Sequence, residues 1–348
     1  MIFRNLVPDS RRARTRRGLL GGVAALGALT FGVTALASGA GQGSADAIKG
    51  KKVFVLSCPD SNTFCAKYNK TVVAIGKRAG LKVTVLTDNF DPSEQAQHMA
   101  QAIAQRPAAI LEVPDDSHAI VASLRRAKTA RIPVINGIHR LAAEGYKYVV
   151  HSVQADTHAL GAAAARNIVE GLRKEGKKKG NIIAITGTAT QFTVGDRLAG
   201  FRSVLKKNSG FKLVAVEDGN WEDQKSGELA QQLFARFQSR GGIQGAYGMA
   251  DNQANAIIQA AQQLGLKVGV KAKGLVVSGS SCQPLTIRNI RAGLQYGSAT
   301  NSPVTEAVPD MNTVVKYLRG VKMPKIIRVR EERVTSRNLK KFTKVCNF

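Results

Sequence analysis

The sequence predicts an α/β fold of two doubly wound parallel-sheet lobes, and three observations support this prediction. Short apolar segments rich in β-branched residues alternate with amphipathic segments of roughly ten to fifteen residues, as in parallel sheets that helices cover on both faces. The alternation restarts near residue 155. The chain of 348 residues, of which 44% are hydrophobic, is long enough for two domains of ordinary size.

The first predicted unit, a strand, a helix and a second strand, extends over residues 49–89. The apolar runs 53–56 and 83–86 predict its two strands. The helix between them presents one apolar face at spacings of four and three, formed by Tyr68, Val72, Ile75 and Ala79. The polar loop 57–64 therefore follows the first strand, at the edge where open parallel sheets bind ligands.

The same alternation continues along the rest of the chain. Further strands are predicted at 108–113, 134–136, 148–153, 181–186, 213–217, 245–249, 275–277, 294–299 and 325–329. Helices are predicted at 93–105, 118–130, 157–175, 194–207, 224–239, 253–264, 285–292 and 306–320, and a polar tail follows the last strand. No glycine-rich phosphate loop follows any of these strands, so the sequence gives no support to nucleotide binding.

Residues 1–47 have the composition of a cleaved export signal. A region with six arginines precedes 21 uncharged residues, 18–38, that are rich in glycine and alanine. Small residues at 35–37 and 45–47 offer cleavage sites, and the pair Arg16-Arg17 resembles the twin-arginine export motif. An uncleaved membrane anchor is the alternative, because 21 apolar residues can span a bilayer.

The chain is strongly basic, with a formal net charge of +27. Without residues 1–47 it keeps 45 basic and 22 acidic residues. Such a charge is compatible with a nucleic acid or an anionic membrane as partner. The basic residues are scattered along the chain, however, as on ordinary solvated faces, so we expect no nucleic-acid partner.

Four cysteines remain after the signal, and an even number in an exported chain indicates disulfides. Cys58 and Cys65 flank the ligand-side loop, where a bridge would stiffen it, and Cys282 and Cys346 would be left for each other. A metal site is the less favoured alternative, because none of the five histidines has ligand spacing near the cysteines. We expect no metal and no cofactor.

Several stretches, taken in order, resemble the periplasmic sugar-binding proteins of the ribose-binding type. They are the loop from Ser57 to Phe64, Ile132-Pro133-Val134-Ile135, Gly187-Thr188, the run Gly195-Asp196-Arg197-Leu198-Ala199-Gly200-Phe201, and Met249-Ala250-Asp251-Asn252. The resemblance covers nearly all of residues 49–335. It implies two lobes joined by three crossings, near 152–156, 299–302 and 328–332, with a solute held between the lobes.

The resemblance also implies the lobe boundaries and a set of ligand-binding residues. The first lobe would comprise 48–155 with 301–328, and the second 156–300 with 329–348. The first lobe would supply Ser57, Asn62, Phe64, His139 and Arg140. The second would supply Arg197, Trp221, Asp251 and Ser280, and Thr300 or Asn301 would line a crossing. Arginine and carboxylate groups make paired hydrogen bonds to vicinal hydroxyls, and a flat aromatic covers the apolar face of a sugar.

The sequence departs from this family at four of these positions. His139 stands where the family has aspartate, Ala250 where it has asparagine, Ser280 where it has aspartate, and Cys65 where it has a second aromatic residue. Two groups that bind hydroxyls are thus lost. A smaller, less hydroxylated solute, or an anion paired with Arg140 and Arg197, is therefore also credible.

Some of these residues also have a structural interpretation. Asp251 could cap the helix at 253–264, Arg197 could form a surface ion pair, and Phe64 could pack beneath its helix. Arg197 and Trp221 lie outside the predicted core faces, so neither is expected to stabilise the unliganded fold.

The leading hypothesis for function is an exported, monomeric, non-catalytic receptor in the periplasm, which delivers a solute to an ABC permease in the inner membrane. The alternative is a ligand-binding partner of a membrane sensor or chemoreceptor. A repressor with the same core would need an amino-terminal helix-turn-helix, which the export signal replaces. No Ser-His-Asp order, metal cluster or paired acid at strand ends favours an enzyme.

Overall fold

The protein contains two six-stranded sheets in a computed structural model, which describes residues 47–347. The first lobe has the strand order β11-β5-β4-β3-β1-β2, and the second has β12-β10-β9-β8-β6-β7. Among the described residues, neighbouring strands in both sheets pair in parallel except β10 with β12, which are antiparallel. The predicted fold class, two doubly wound parallel-sheet lobes, is confirmed.

The first lobe is built from two segments of the chain. Its strands are β1 (Lys52–Ser57), β2 (Lys82–Thr87), β3 (Ala109–Glu112), β4 (Val134–Asn136), β5 (His151–Ala155) and β11 (Ile326–Val329). Its helices are α1 (Thr63–Arg78), α2 (Pro92–Ala104), α3 (Ile120–Thr129) and α9 (Pro303–Leu318), with a 3₁₀ helix at Ala143–Tyr148.

The second lobe follows the same plan. Its strands are β6 (Gly180–Thr186), β7 (Phe211–Asp218), β8 (Gly245–Gly248), β9 (Val276–Ser278), β10 (Gln295–Ala299) and β12 (Arg333–Thr335). Its helices are α4 (Thr157–Lys174), α5 (Phe192–Lys206), α6 (Asp223–Phe237), α7 (Asp251–Gln263), α8 (Pro284–Ala292) and α10 (Leu339–Cys346), with short 3₁₀ helices at Gln238–Arg240 and Val270–Ala272.

Strand β1 shows why the first sheet is covered on both faces. Val53 and Val55 belong to the cluster that packs beneath α1 and α9. Phe54 and Leu56 point the other way, into the cluster beneath α2 and α3. Because successive side chains of a strand point to opposite faces, a continuous apolar run needs helices on both sides.

Three crossings connect the lobes, as predicted. β5 leads into α4, β10 leads into α9, and β11 leads into β12. Two of them are bonded to each other, because Thr300 N donates to Glu332 O at 2.9 Å and Glu332 N donates to Thr300 Oγ1 at 2.8 Å. The crossings therefore lie side by side at one edge of the two sheets.

Two sequence predictions about elements were wrong. The strand predicted at 148–153 begins only at His151, because a 3₁₀ helix occupies Ala143–Tyr148. The polar tail contains β12 and α10, whose apolar side Leu339, Phe342 and Cys346 packs with Cys282 and Ile287 of the second lobe. Both elements are short and charged, so their local hydrophobic pattern is weak. They form because β10 offers a strand edge to β12 and α8 offers an apolar surface to α10.

Within residues 47–347 no helix is both long and apolar enough to cross a membrane. The export signal predicted at 1–47 lies outside the described residues except for its last residue.

Candidate ligand-binding site

A cavity of about 70 Å³ lies between the two lobes, where loops that follow the strands meet. The first lobe contributes Cys58, Asn62, Phe64, Cys65, Phe90, Val113, Asp115, Ile138 and His139 to its wall. The second lobe and the crossings contribute Gln191, Arg197, Trp221, Ala250, Asn252, Ser281 and Asn301. Its position matches the rule that open α/β sheets bind ligands beyond the carboxyl ends of their strands.

The loop between β1 and α1 forms one side of the cavity. Asn62 caps α1, since its Oδ1 accepts from the backbone N–H groups of Phe64 at 3.0 Å and Cys65 at 3.3 Å. The structure bonds Cys58 to Cys65, with their Cα atoms 5.6 Å apart. The cap and the bridge together hold Phe64 against the cavity.

Arg197, on the first turns of α5, lies at the opposite side and is only 4% exposed. Its Nη1 donates to Met249 O at 2.8 Å and Ser280 Oγ at 3.3 Å, and its Nη2 donates to Asn301 Oδ1 at 3.0 Å. Its Nε is buried and has no hydrogen-bond partner within residues 47–347. The prediction of a surface ion pair is therefore excluded, and so is the expectation that Arg197 lies outside the core.

Trp221 provides a flat apolar wall beside Arg197, whose Cζ lies 5.6 Å from the centre of the indole ring. The indole Nε1 donates to Gln191 Oε1 at 3.0 Å, which fixes the ring orientation. A Cβ at Gly187 would collide with the ring, so only glycine lets the indole pack flat on the loop after β6. Trp221 itself packs partly against the core beneath α4 and α5, which the sequence did not indicate.

His139 and Asp115 bring ionisable groups to the first-lobe side of the cavity. Burial, and then the nearby Arg197 charge, lowers the pKa of His139 to about 3, so the imidazole is uncharged at neutral pH. No group in the described part of the chain forms a hydrogen bond with its buried Nδ1. Burial, together with a hydrogen bond to Asp88, raises the pKa of Asp115 to about 10.

The structure thus brings six of the predicted ligand residues to one cavity, five from the two lobes and Asn301 at a crossing. The predicted residues that line it are Asn62, Phe64, His139, Arg197, Trp221 and Asn301.

The other predicted ligand residues do not line the cavity. Ser57 is fully buried at the end of β1, where its hydroxyl faces Cys58 Sγ at 4.0 Å. Ser280 lies behind Arg197, and its Oγ donates to Met249 O at 2.7 Å. Thr300 binds Glu331 Oε2 at 2.8 Å and belongs to the crossings. Each side chain is occupied by a neighbouring protein group.

Asp251 has neither of the roles that the sequence allows. Helix α7 begins at Asp251 itself, with Ala250 as its N-cap, so the carboxylate does not cap it. Asp251 Oδ2 accepts from Ser281 N and Ser298 Oγ, both at 2.6 Å, and Oδ1 accepts from Gln295. The carboxylate therefore ties the start of α7 to the loop after β9 and to strand β10.

Arg140 lies at the rim rather than in the cavity. Its Nη1 donates to Asp196 Oδ2 across the two lobes at 2.8 Å, and its side chain is half exposed. An anion bound by Arg140 and Arg197 together, which the sequence allowed, is not supported by this placement.

Bonds between the lobes surround the cavity, so the protein is in a closed form. Asn62 Nδ2 donates to Trp221 O at 3.4 Å, and Thr63 Oγ1 donates to Gln283 Oε1 at 3.1 Å. The rings of His118 and Phe192 meet edge to face at 5.1 Å. Together with the Arg140–Asp196 pair, these contacts hold the loops of one lobe against those of the other.

Sequence reasoning missed several residues of the wall, among them Phe90, Asp115, Gln191 and Asn252. Phe90 and Asp115 follow β2 and β3, so their positions at strand ends could have indicated them. Asn252 stands directly before the predicted helix 253–264, and Gln191 stands before the predicted helix 194–207. Nothing in their local pattern separates them from ordinary polar residues.

Comparisons with known proteins agree with this geometry. Residues 53–322 match the periplasmic binding protein domain family. A D-ribose/D-allose-binding protein of Pseudomonas aeruginosa is 26% identical over 238 residues, which cover 68% of this chain and 70% of that protein. A xylitol-binding protein of Mycolicibacterium smegmatis is 24% identical over 256 residues, which cover 74% of this chain and 69% of that protein.

Among solved structures, a Caulobacter myo-inositol binding protein bound to myo-inositol superposes with a TM-score of 0.77 at 20% identity, covering 85% of this chain and 96% of that chain. A galactofuranose binding protein gives 0.77 at 19% identity, covering 84% and 97%. These relatives are solute-binding proteins, not enzymes. The chain therefore belongs to the periplasmic binding protein domain family and has the type I fold of its sugar-binding members.

Proposed function

We propose that this protein is the exported, monomeric substrate-binding component of an ABC importer, and that it captures a small sugar or polyol between its lobes. The observation that carries the proposal is the closed cavity with an aromatic wall on one side and unpartnered polar atoms on others. An aromatic wall suits the apolar face of a sugar ring, and the polar atoms suit its hydroxyls.

The two lobes act as separate bodies in this proposal, with boundaries at 48–155 plus 301–328 and 156–300 plus 329–348. The two-sheet architecture supports this division, because each sheet has its own apolar clusters. A ligand stabilises closure only by binding the closed form better than the open form. The closed form is then what a permease in the inner membrane recognises.

The ligand contacts follow from which groups line the cavity. Trp221 stacks on the ligand, and Phe64 and Phe90 flank it on the first-lobe side. Arg197 donates to a ligand oxygen through Nε, because its terminal nitrogens already bind protein acceptors. His139 takes part as an uncharged imidazole.

The proposal that the protein is exported to the periplasm rests on the composition of residues 1–47 and on its membership of the periplasmic binding protein domain family. Changing Arg16 and Arg17 together to lysine is expected to retain the precursor in the cytoplasm if export uses the twin-arginine route. Immunoblotting of periplasmic and cytoplasmic fractions measures this, and unchanged export would point to the general secretory route.

The function is tested by a thermal-shift screen of residues 48–348 against pentoses, hexoses, xylitol, inositols and small organic acids. A ligand that binds only the native state raises the unfolding midpoint. Titration calorimetry of each positive compound then gives its dissociation constant. If no sugar or polyol shifts the midpoint, or if the compounds that do so bind equally well to Trp221→Ala, the proposed site is wrong.

A further inference from the structure

A second cavity, of about 410 Å³, lies on the second lobe between α4, the end of α5 and the segment that begins with β12. We call it the basic groove, because five of the side chains that line it are basic and one is acidic. The basic side chains are those of Arg166, Arg173, Lys174, Arg333 and Arg337. They come from two distant parts of the sequence, so only the folded chain brings their charges together.

The basic groove is separate from the cavity between the lobes. No described residue lines both. The cavity meets α5 at its first turns, where Arg197 lies, whereas the groove meets the end of α5, at Val204 and Asn208. A second site in the groove therefore does not depend on which solute binds between the lobes.

Glu170 is the one acidic residue among the described residues that line the groove, and several basic side chains already share it. Its Oε1 accepts from Arg337 Nη2 and lies 3.9 Å from Lys174 Nζ, and its Oε2 accepts from Arg333 Nη2. One carboxylate cannot balance five cations, so the groove keeps a formal excess of four positive charges. Because positive charges held close together repel one another, this excess favours an anionic ligand.

Arg333 is held in place by the interior of the second lobe. Its Nε donates to Oδ1 of Asn167, which is fully buried. Asn167 Nδ2 in turn donates to Ser278 Oγ at 3.0 Å and to Ser298 O at 3.2 Å. The guanidinium group is therefore fixed in position before a ligand arrives, and a fixed group loses less side-chain entropy when it binds.

Arg166 and Arg173 lie on the exposed side of α4 and form no ion pair with a described carboxylate. Arg173 Nη2 donates to the uncharged amide of Asn208 at 2.6 Å. Arg166 has neither a hydrogen bond nor an ion pair with any residue of 47–347. Both guanidinium groups can therefore bind ligand oxygens without losing an ion pair.

The chemistry of these side chains selects the class of anion. Guanidinium groups bind phosphate oxygens through paired N–H groups, and a cavity of about 410 Å³ lies within the size range of small-molecule sites. We propose that the basic groove is a second binding site, which takes the phosphate groups of a ligand with several negative charges. Soluble polyphosphates and anionic lipid headgroups share this chemistry, and the experiment separates them.

The site is tested by calorimetric titration of the purified protein with tripolyphosphate and with orthophosphate. An ionic strength of about 0.15 M screens diffuse attraction between exposed charges. The groove variant carries Arg166→Gln, Arg173→Gln and Arg337→Gln. The control variant loses the same charge from exposed positions on helices α1 and α3 of the first lobe, through Lys70→Gln, Arg78→Gln and Arg125→Gln.

We expect tripolyphosphate to bind at least tenfold more tightly than orthophosphate, because it offers more charge and more oxygens to the arginines. We expect the groove variant to weaken this binding at least tenfold, and the control variant to stay within about threefold of wild type. An equal loss in the two variants would show that only the net charge of the protein matters and would overturn the site.

The melting temperature of each variant without ligand shows whether it is folded. If the groove variant melts below the control variant, the double variant Arg166→Gln with Arg173→Gln replaces it, because it leaves Glu170 and its partners in place. We then expect at least a threefold loss of tripolyphosphate affinity. Wild-type affinity in the double variant would contradict the proposal.

Vesicles distinguish the two sources of phosphate. Sedimentation with phosphatidylglycerol vesicles, but not with phosphatidylcholine vesicles, that the groove variant loses and the control variant keeps would identify a lipid headgroup if tripolyphosphate does not bind. Tripolyphosphate binding that the groove variant loses identifies a soluble polyphosphate. If wild-type protein binds neither tripolyphosphate nor the anionic vesicles, the groove is not a phosphate site.

Discussion

At the scale of single residues, buried carboxyl groups are the most unusual feature of the first lobe. Asp310 of α9 is fully buried and accepts from Tyr68 Oη of α1 at 2.7 Å. Burial raises the pKa of Asp310 to about 8, and the hydrogen bond from Tyr68 offsets part of this shift. Glu112 is also fully buried, neither of its carboxyl oxygens has a partner among the described residues, and burial raises its pKa well above the usual range.

A raised pKa of this kind makes stability depend on pH. The folded protein holds the Asp310 proton more tightly than the unfolded chain, whose ordinary value is 3.8. The contribution to stability is therefore complete below that value and is lost as the pH rises towards about 8. One linked proton changes the free energy of unfolding by at most about 1.4 kcal/mol per pH unit.

We predict that Asp310→Asn flattens the fall in unfolding free energy between pH 5 and pH 8 and makes the protein more stable than wild type at pH 8. Urea denaturation at several pH values measures this, with the exposed Glu228→Gln as control. A slope equal to that of wild type would show that Asp310 is already ionised in the folded protein.

Arg197 combines a binding role with a structural one, so its replacement should affect the unliganded protein too. Arg197→Ala leaves Asn301 Oδ1 without its donor and removes one of the two side-chain donors to Met249 O, and we predict a loss of about 1–3 kcal/mol of unfolding free energy in the absence of ligand. Arg202→Ala, exposed on the same helix, is the matched control and should change stability by less than about 0.5 kcal/mol. Unchanged stability in Arg197→Ala would show that its hydrogen bonds contribute nothing before ligand binds.

At the scale of elements, the two disulfides belong to different parts of the protein. Cys58–Cys65 closes a short loop that carries Asn62 and Phe64 at the cavity. Cys282–Cys346 fixes α10 to the loop before α8 with a sequence separation of 64, and neither of its two cysteines lines the cavity. By reducing the entropy of the unfolded chain, the bridge that closes the longer loop stabilises the fold by about 4 kcal/mol, and the bridge that closes the shorter loop by about 2–3 kcal/mol.

We predict that replacing Cys58 and Cys65 by serine weakens ligand binding, whereas replacing Cys282 and Cys346 lowers stability more and leaves affinity unchanged. Non-reducing peptide mapping of the purified protein first verifies both pairings, and free thiols at these positions would remove the premise. Calorimetric titration and urea denaturation of the two double variants then separate the effects. Equal affinity in both would show that the bridge does not organise the binding loop.

At the scale of the whole molecule, the contacts between lobes decide how tightly the closed form holds. Arg140 and Asp196 meet at the exposed rim, and Thr157 Oγ1 also donates to Asp196 Oδ2, at 3.1 Å. An exposed ion pair contributes up to about 1 kcal/mol and is weakened by salt. The Arg140–Asp196 pair therefore contributes only weakly to holding the two lobes together at the mouth of the cavity.

We predict that Arg140→Ala weakens ligand binding by less than about tenfold at low salt and that the difference shrinks at high salt. Fluorescence of Trp221, the single tryptophan of the sequence, reports the titration. Arg166→Ala, an exposed arginine on α4, is the control. A salt-independent loss of affinity would show that Arg140 touches the ligand directly.

The architecture was largely predictable because it depends on local periodicity. Apolar runs of strand length and apolar helical faces predicted the order of almost all elements. The three crossings were predicted from the resemblance to periplasmic sugar-binding proteins. The exceptions were elements whose own pattern is weak. β12 is three residues long, and it forms because β10 offers an open edge for antiparallel pairing.

The candidate site was predictable only in part. The sequence by itself determined which loops end at the ligand edge, since parallel strands in alternating order bring their carboxyl ends together. Only the tertiary structure decided which polar side chains there bind the protein and which remain for a ligand. Asp251 is bonded to Ser281 and Ser298, whereas Asp115 lines the cavity and its Oδ2 has no partner among the described residues. The reason is physical, because hydrogen-bond partners come from loops far apart in the chain and no local pattern records their distances.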